Sequence, residues 1–178
     1  MGGLEMEDKA MVEDITIRIT SAADLPAVDA LLTASYPVLL KPDYAPSTLV
    51  TCLPLITRAR PELLRSGSYF MAHEGDGRAL AAGGWTHNAP QGGVGPRDVG
   101  HIRHVVTHPK ATRRGLARSI LERCFATARA SGVRWMMCQS TRTAEPFYSA
   151  MGFQRRGEIE IMLRPGIGFP AVEMIRAL

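Results

Sequence analysis

The stretch of residues 101–125 constrains the fold more than any other part of the chain, because two periods meet in it. Its front half is short, is rich in branched side chains and histidines, and ends before Pro109, which is typical of a strand. Its back half carries apolar side chains at helical spacing, namely Leu116, Ile120, Leu121, Cys124, Phe125 and, just beyond, Ala128. The sequence therefore predicts a strand, a turn and then a helix.

The turn between these elements has the residues of an anion site. Gly115 lets the backbone approach a ligand closely, and the helix that follows leaves its first amide groups unpaired. The helix dipole and a group of basic side chains add positive potential, namely Lys110, Arg113, Arg114 and Arg118. We expect a phosphorylated ligand; the alternative is that these arginines form only the solvated face of an amphipathic helix.

Two spaced motifs resemble a known family. Residues 108–117 resemble the acetyl-CoA-binding signature of the GCN5-related N-acetyltransferase (GNAT) superfamily, which is Pro, two residues, Arg or Gln, two residues, Gly, any residue, Gly or Ala. Pro109, Gly115 and Ala117 match this signature, whereas Thr112 stands at the Arg/Gln position. Residues 144–153 resemble the helix-then-strand element of the same family, with a tyrosine, three residues and Gly-Phe.

The resemblance implies a fold class and a coenzyme site. The fold would be a single α/β domain at residues 15–178, with a mixed central β-sheet flanked by helices on both faces, after a flexible leader at residues 1–14. The backbone of the predicted strand would hydrogen-bond the pantetheine arm of acetyl-CoA and the turn would cradle its pyrophosphate. The implied contacts are Val105, Val106, Thr107, Thr112, Arg113, Arg114, Gly115, Leu116, Ala117, Arg118 and, where relatives often have an asparagine, Thr141.

The resemblance also places the catalytic residues. His101 occupies the position of the glutamate that serves many relatives as general base, and an unperturbed imidazole pKa of roughly 6.5 suits that role. Tyr148 aligns with the tyrosine that protonates the coenzyme sulfur or hydrogen-bonds to it. His104 is a reserve base, with His87 and Asp98 behind it. The competing interpretation is that both aligned residues only pack or hydrogen-bond within the fold.

A metal site is not expected, although three histidines lie close together in the sequence. Side chains alternate faces along a strand, so His101 and His104 would point in opposite directions and could not share a metal without a bulge.

The part of the predicted site that would hold the acceptor amine carries no sequence motif. We predict acceptor contacts from Tyr36, Tyr44 and Trp85, with Arg58 and Arg60 as further candidates; packing or solvation is the alternative for each.

Composition excludes several classes of protein. Of the 178 residues 46% are hydrophobic, which is enough for one compact core. The net charge of +4 is mild and the aromatic fraction is only 6%, so nucleic acid is not expected as a partner. Three scattered cysteines argue against a disulfide framework and fit a reducing compartment, so we expect a cytoplasmic protein without membrane contact. A homodimer is left open.

The remaining elements follow from short-range patterns. We predict a first helix that begins after Ser21 and ends at Ser35, a second that is capped by Ser47 or Thr48, a short helix at residues 61–65, and a late helix that is capped by Thr143 and stopped by Gly152. The predicted strands are residues 15–20, 68–73, 79–85, from 99 onward, 133–138, 153–155, 158–163 and 171–175.

These expectations converge on one function. The chain should transfer the acetyl group of acetyl-CoA directly to a primary amine of a small molecule, without a metal. The alternative is a non-catalytic acyl-CoA-binding or regulatory module of the same fold.

Overall fold

The computed structural model describes residues 14–178 and contains one seven-stranded sheet. In chain order the strands are β1 (Thr16–Ile19), β2 (Tyr69–His73), β3 (Ala79–Thr86), β4 (Val99–Thr107), β5 (Trp135–Ser140), β6 (Gln154–Arg164) and β7 (Ile167–Ala177). Their order in the sheet is β1-β2-β3-β4-β5-β7-β6, and of these neighbours only β4 and β5 are parallel. The predicted mixed sheet with a strand–helix–strand unit at its centre is confirmed.

Five α-helices connect the strands in the described part of the chain. They are α1 (Leu25–Leu39), α2 (Pro46–Ile56), α3 (Pro61–Leu64), α4 (Leu116–Ala130) and α5 (Glu145–Ala150). A short 3-10 turn precedes α1 at Ala22–Asp24, and another precedes α4 at Pro109–Ala111. The first of these turns has the expected capping box, in which the backbone N–H of Ser21 donates to the Asp24 carboxylate at 2.7 Å.

Helices cover both faces of the sheet. On one face, α4 and α5 pack on a core that includes Phe70, Trp85, Ile120 and Met136. On the other face, α1 and α3 pack on a second core around Tyr69, Met71 and Val106. Burial of these apolar side chains on both sides supplies the main stabilisation of the fold. The predicted fold class is therefore confirmed; residues 1–13 of the predicted leader lie outside the described residues.

Three predicted boundaries are wrong. Helix α1 continues through Pro37 to Leu39, because a proline so near the helix end removes only one late hydrogen bond. Helix α2 begins at Pro46 with Ala45 in extended conformation, so neither Ser47 nor Thr48 caps it. At the start of α5, Thr141 rather than Thr143 makes the side-chain contact, since its Oγ1 accepts from the backbone N–H of Ala144 at 3.1 Å.

The C-terminal region differs most from its prediction. The three short strands that we expected after residue 153 are two long ones, β6 and β7, which form a hairpin around Pro165 and Gly166. Residues 167–170, predicted as a loop, belong to β7, and Pro170 lies opposite Glu160. Glycine and proline at residues 165–170 suggested a loop, but pairing of residues 167–170 with β6 overrides that local preference.

Candidate active site

The sheet opens along its one parallel pair. Strands β4 and β5 pair only from Val99–Trp135 to His101–Met137, although both strands continue beyond that point. A cavity of about 1140 Å³ lies at the opening. Its wall includes residues 102–107 of β4, residues 138–140 of β5, the first turn of α4, the ends of α1 and α2, and the β6–β7 hairpin. The strand edges that face this cavity are therefore unpaired along the split.

A β-bulge accompanies the split. Between the pairs Ala82–Val106 and Gly84–Arg103, β3 advances two residues while β4 advances three. His104 takes a left-handed conformation with φ of +46° at this point, and its carbonyl accepts a hydrogen bond from the Tyr69 hydroxyl at 2.9 Å. A bulge increases local twist and interrupts the alternation of side chains, so β4 turns away from β5 here.

The turn before α4 has the backbone of an anion site. Gly115 has a φ of +78° and space for a ligand where a Cβ would stand, since no atom lies within 4 Å of that position. Arg113 is also left-handed, with φ of +63°. Such turns direct successive N–H groups into one concavity, and the α4 dipole adds to their potential. The predicted residues that line the cavity here are Thr112, Arg113, Gly115, Leu116, Ala117 and Arg118, while Arg114 is exposed on the turn outside the wall.

Four further predicted coenzyme contacts lie on the two sides of the split between β4 and β5. Val105, Val106 and Thr107 line the cavity on the β4 side, past the last β4–β5 pair. Thr141 lines it on the β5 side, and its hydroxyl also accepts the bond from Ala144. All of the predicted coenzyme contacts except Arg114 thus lie around one cavity.

Tyr148 reaches the cavity from α5. Its ring packs against Phe147 and Phe153 at centroid distances of 5.3 Å and 5.4 Å, and the Cys138 thiol contacts its hydroxyl. Burial, together with Cys138 and Tyr36, raises the pKa of Tyr148 well above its usual value. Burial likewise raises the pKa of Cys138 to about 12. Both groups are protonated at neutral pH, so Tyr148 is able to donate a proton.

His101 lies next to the cavity and not in its wall. It is half-buried in the paired part of β4, opposite Thr86 on β3 and Met137 on β5. Burial lowers its pKa, the nearby Arg103 lowers it further, and Glu173 opposes the shift. The imidazole is therefore neutral at pH 7 and able to accept a proton.

His104 is in the wall, whereas His101 is not, so the predicted opposite orientation of the two rings is not contradicted. The bulge brings its ring within electrostatic reach of Arg60 and Arg103, and burial together with these two charges lowers its pKa to about 4. Its Nδ1 is buried without a hydrogen-bond partner. The two remaining candidates, His87 and Asp98, do not line the cavity; Asp98 instead accepts backbone bonds from Arg134 and Trp135 with its carbonyl.

The structure brings only some predicted acceptor residues together. Tyr36 and Arg60 line the cavity, whereas Arg58 does not. Trp85 is 5% exposed and belongs to the core under α4, where its Nε1 donates to Thr127 Oγ1 at 2.8 Å. We therefore assign Trp85 to packing and withdraw it as an acceptor contact.

Tyr44 is also a structural residue. Its ring stacks on Phe169 at 4.7 Å, its hydroxyl donates to the Pro170 carbonyl at 2.8 Å, and it accepts from the backbone N–H of Arg142 at 2.8 Å. These contacts fasten the α1–α2 loop to the β6–β7 hairpin. Tyr44 supports segments that form the cavity wall and does not itself line the cavity.

Sequence reasoning missed several residues of the wall. Arg103, Cys138 and Gln139 line the cavity, as do Ile161, Leu163 and Phe169 of the hairpin. None of these residues belongs to a local sequence motif, because only the split between β4 and β5 and the β6–β7 hairpin bring them together. The one available signal is that Arg103 stands two residues after His101, so strand alternation predicts the same face for the two side chains.

Two kinds of feature are absent from the described residues. Among residues 14–178 no group of three or more His, Cys, Asp or Glu side chains is arranged to hold a metal ion. In the same range no helix combines the length and apolar character needed to cross a membrane.

Comparisons with known proteins agree with this geometry. A family model described as an acetyltransferase (GNAT) domain matches residues 57–174. No curated protein matches the chain significantly in sequence.

Solved structures share the fold at low sequence identity. A GCN5-related N-acetyltransferase from Rhodopseudomonas palustris aligns with a TM-score of 0.72 and 17% identity, covering 94% of this chain and 99% of that one. The PaiA N-acetyltransferase from Thermoplasma acidophilum, solved in complex with coenzyme A, aligns with a TM-score of 0.69 and 14% identity, covering 92% and 99%. N-acetylglutamate synthase from Neisseria gonorrhoeae, complexed with coenzyme A and N-acetyl-glutamate, aligns with a TM-score of 0.60 and 18% identity, covering 92% of this chain and 35% of that one.

Proposed function

The chain belongs to the GNAT acetyltransferase family, and from that premise we propose that it transfers the acetyl group of acetyl-CoA directly to the primary amine of a small molecule. The observation that carries the proposal is the cavity at the β4–β5 split, with an anion-binding turn at one end and the protonated hydroxyl of Tyr148 in its wall. Two of the similar structures were solved with coenzyme A bound, which supports an acyl-CoA as donor.

The residues present fit acetyl-CoA. The N–H groups from Arg113 to Ala117 surround the open space at Gly115 and would hold the pyrophosphate, assisted by Arg118. The unpaired β4 edge at Val105 and Val106 would pair with the amide groups of the pantetheine arm as a neighbouring strand would. Thr112 replaces the usual Arg or Gln without loss of this backbone chemistry. Acetyl-CoA supplies the activated acyl thioester.

Tyr148 is the proposed general acid. Its hydroxyl is protonated at neutral pH, and we propose that it hydrogen-bonds to the departing sulfur or gives its proton to that sulfur as the thioester bond breaks. The packed ring contacts with Phe147 and Phe153 hold the hydroxyl in place without a rotamer change.

His101 is the proposed general base. The acceptor must lose a proton from its ammonium group before or during attack, and a neutral imidazole accepts that proton. Because His101 lies beside the cavity rather than in its wall, we propose that a water molecule relays the proton. His104 is the reserve base, although its pKa of about 4 makes it a weak one.

A small acceptor fits the shape of the site better than a protein chain does. The acceptor side is walled by α1, α2 and the β6–β7 hairpin, which pack together through Leu40, Tyr44 and Phe169. Cys52, Cys124 and Cys138 are free and buried, which is compatible with the cytoplasmic location that we predict from the sequence.

A screen of primary amines with acetyl-CoA tests the proposal. Free thiol release is recorded for each amine, and mass spectrometry identifies the acetylated product. We expect thiol release that depends on an added amine and is matched by N-acetylated product. Tight coenzyme binding without amine-dependent release across chemically diverse amines would favour a non-catalytic acyl-CoA-binding module instead.

A further inference from the structure

Arg103 is a buried cation whose protein partners do not neutralise it. The residue is 8% exposed, and its Nη1 donates to the neutral Thr86 Oγ1 at 3.0 Å. Within residues 14–178 no carboxylate forms an ion pair with it, and Glu62 is near enough only to oppose the fall in its pKa. A buried charge is costly unless it is paired and hydrogen-bonded. The arginine side chain offers five donors, and a planar carboxylate satisfies them best.

Other cationic groups surround Arg103 at the cavity. Arg60 lines the same cavity and is close enough to lower the pKa of both Arg103 and His104. In the described chain the cavity wall contains no aspartate or glutamate, while the arginines that line it are Arg60, Arg103, Arg113, Arg118 and Arg164. The wall therefore attracts anions at more than one place.

The phosphates of the coenzyme would occupy only one of these cationic regions of the cavity wall. Arg113 and Arg118 flank the turn before α4, where the pyrophosphate is expected. Arg103 lies four residues before Thr107, the last residue of β4, and a strand rises roughly 3.3 Å per residue, so the two Cα atoms are about 13 Å apart, with the turn further still. Arg103 instead neighbours His101, which we propose as the base.

We propose that the acceptor amine carries a carboxylate, which binds to Arg103 with assistance from Arg60. This inference rests on the proposed function and specifies its substrate class. The acceptor carboxylate replaces the missing ion-pair partner of Arg103 and leaves the amine near His101. Leu55 and Ile56 of α2 and Ile161 and Leu163 of β6 give the cavity an apolar wall, so an amino acid with an apolar side chain is the probe of choice.

The test compares amines that differ only in the carboxylate. L-leucine, L-leucinamide and 3-methylbutylamine share one apolar body, and kcat/KM is measured for each by thiol release. A charged hydrogen-bonded pair is worth about 10- to 100-fold in discrimination, so we expect L-leucine to exceed both amines that lack the carboxylate by that factor. O-phosphoethanolamine against ethanolamine examines a phosphate in place of the carboxylate.

Substitutions of single arginines test where in the cavity the preference for the carboxylate arises. Arg60→Gln should raise KM for L-leucine about tenfold more than it raises KM for 3-methylbutylamine, because the exposed Arg60 side chain lines the cavity and its charge assists binding of the carboxylate. Arg65→Gln, an exposed arginine on the same segment outside the cavity, is the matched control and should change neither. Arg103→Gln, if folded by circular dichroism, should abolish the preference for the carboxylate.

The outcomes separate the two claims. If no amine is acetylated although coenzyme A binds, the proposed function fails. If amines are acetylated but those without the carboxylate, or only the phosphorylated one, react best, or if Arg60→Gln changes KM equally for amines with and without the carboxylate, the carboxylate site is overturned while the acetyltransferase remains.

Discussion

The two ends of the cavity, which we assign by proposal to the coenzyme and to the acceptor and call the coenzyme end and the acceptor end, are built in different ways. The coenzyme end is nearly contiguous in the chain, since residues 105–107 and 112–118 supply most of its wall. The acceptor end gathers Tyr36, Arg60, Arg103 and the β6–β7 hairpin from sites more than one hundred residues apart in sequence. One end depends on local backbone geometry, and the other depends on long-range packing.

Because of this difference, the two ends would bind their ligands through different parts of the protein. A turn with left-handed residues and a helix N-terminus binds phosphates through N–H groups that every sequence possesses, so side chains there vary without loss of chemistry. Thr112 is an instance of such variation. In the proposal the acceptor end binds through side chains, so its specificity would change with single residues. Substitutions at the two ends should therefore have separable effects on coenzyme affinity and on acceptor use.

Tyr148→Phe should produce the largest effect and lies between the two ends. Phenylalanine keeps the ring contacts with Phe147 and Phe153 and removes only the hydroxyl. We expect kcat to fall by about 10²- to 10⁴-fold while the Kd of acetyl-CoA stays within about twofold. Steady-state kinetics and calorimetry measure the two quantities. Wild-type turnover in the variant would assign Tyr148 to packing and require another proton donor.

His101→Ala should have the next largest effect. A general base must be neutral, so activity rises with pH through its pKa; because burial and Arg103 lower that pKa, the rising limb should lie below pH 6.5. The variant should lose this limb and slow kcat/KM by about 100-fold, at the low end for general bases. His104→Ala should keep the limb, since its pKa of about 4 lies far below.

The pair of pH–rate profiles distinguishes the mechanisms. A profile of His101→Ala that overlays the wild type means that the amine needs no protein base. A limb that disappears only in His104→Ala makes the residue at the bulge the base.

Tyr44→Phe should have the smallest effect and act at the acceptor end alone. The substitution keeps the stacking on Phe169 and removes the hydroxyl that joins Pro170 and Arg142. An orphaned backbone group costs about 1–3 kcal/mol, so urea denaturation should show a loss of that size in the free energy of unfolding. The KM for the acceptor should rise while the Kd of acetyl-CoA is unchanged. A weakened coenzyme affinity instead would show that the two ends are not separable.

The sequence predicted the coenzyme end well for the same physical reason. Strand, turn and helix between Val99 and Ala130 follow from short-range periodicity and from Gly115, and six of the seven predicted residues at the turn lie in the cavity wall. The binding role of each of these residues stays a prediction that the coenzyme titration below begins to test.

The acceptor end could not be predicted because its determinants are long-range. Trp85 was expected in the wall, but alternation along β3 directs it to α4, and only the tertiary structure decides which face carries the cavity. We did not predict the bulge at His104, although Gly83 in the opposite strand is a possible signal for it: a Cβ at Gly83 would approach Val105 Cγ2 to 2.8 Å. We predicted three short strands in place of the β6–β7 hairpin, because its glycine and proline residues indicated a loop and the sequence does not show which strands pair.

Titration of acetyl-CoA into matched glycine variants tests the central claim most directly. Gly115 and Gly132 have φ of +78° and +84° at opposite ends of α4, and neither has an atom within 4 Å of its Cβ position. Valine at either place imposes similar backbone strain, whereas only valine at residue 115 would block the approach of a pyrophosphate. Calorimetry should show acetyl-CoA binding to the wild type and to Gly132→Val with equal affinity, and a loss of at least about tenfold in folded Gly115→Val. Equal affinity in all three proteins would contradict the account.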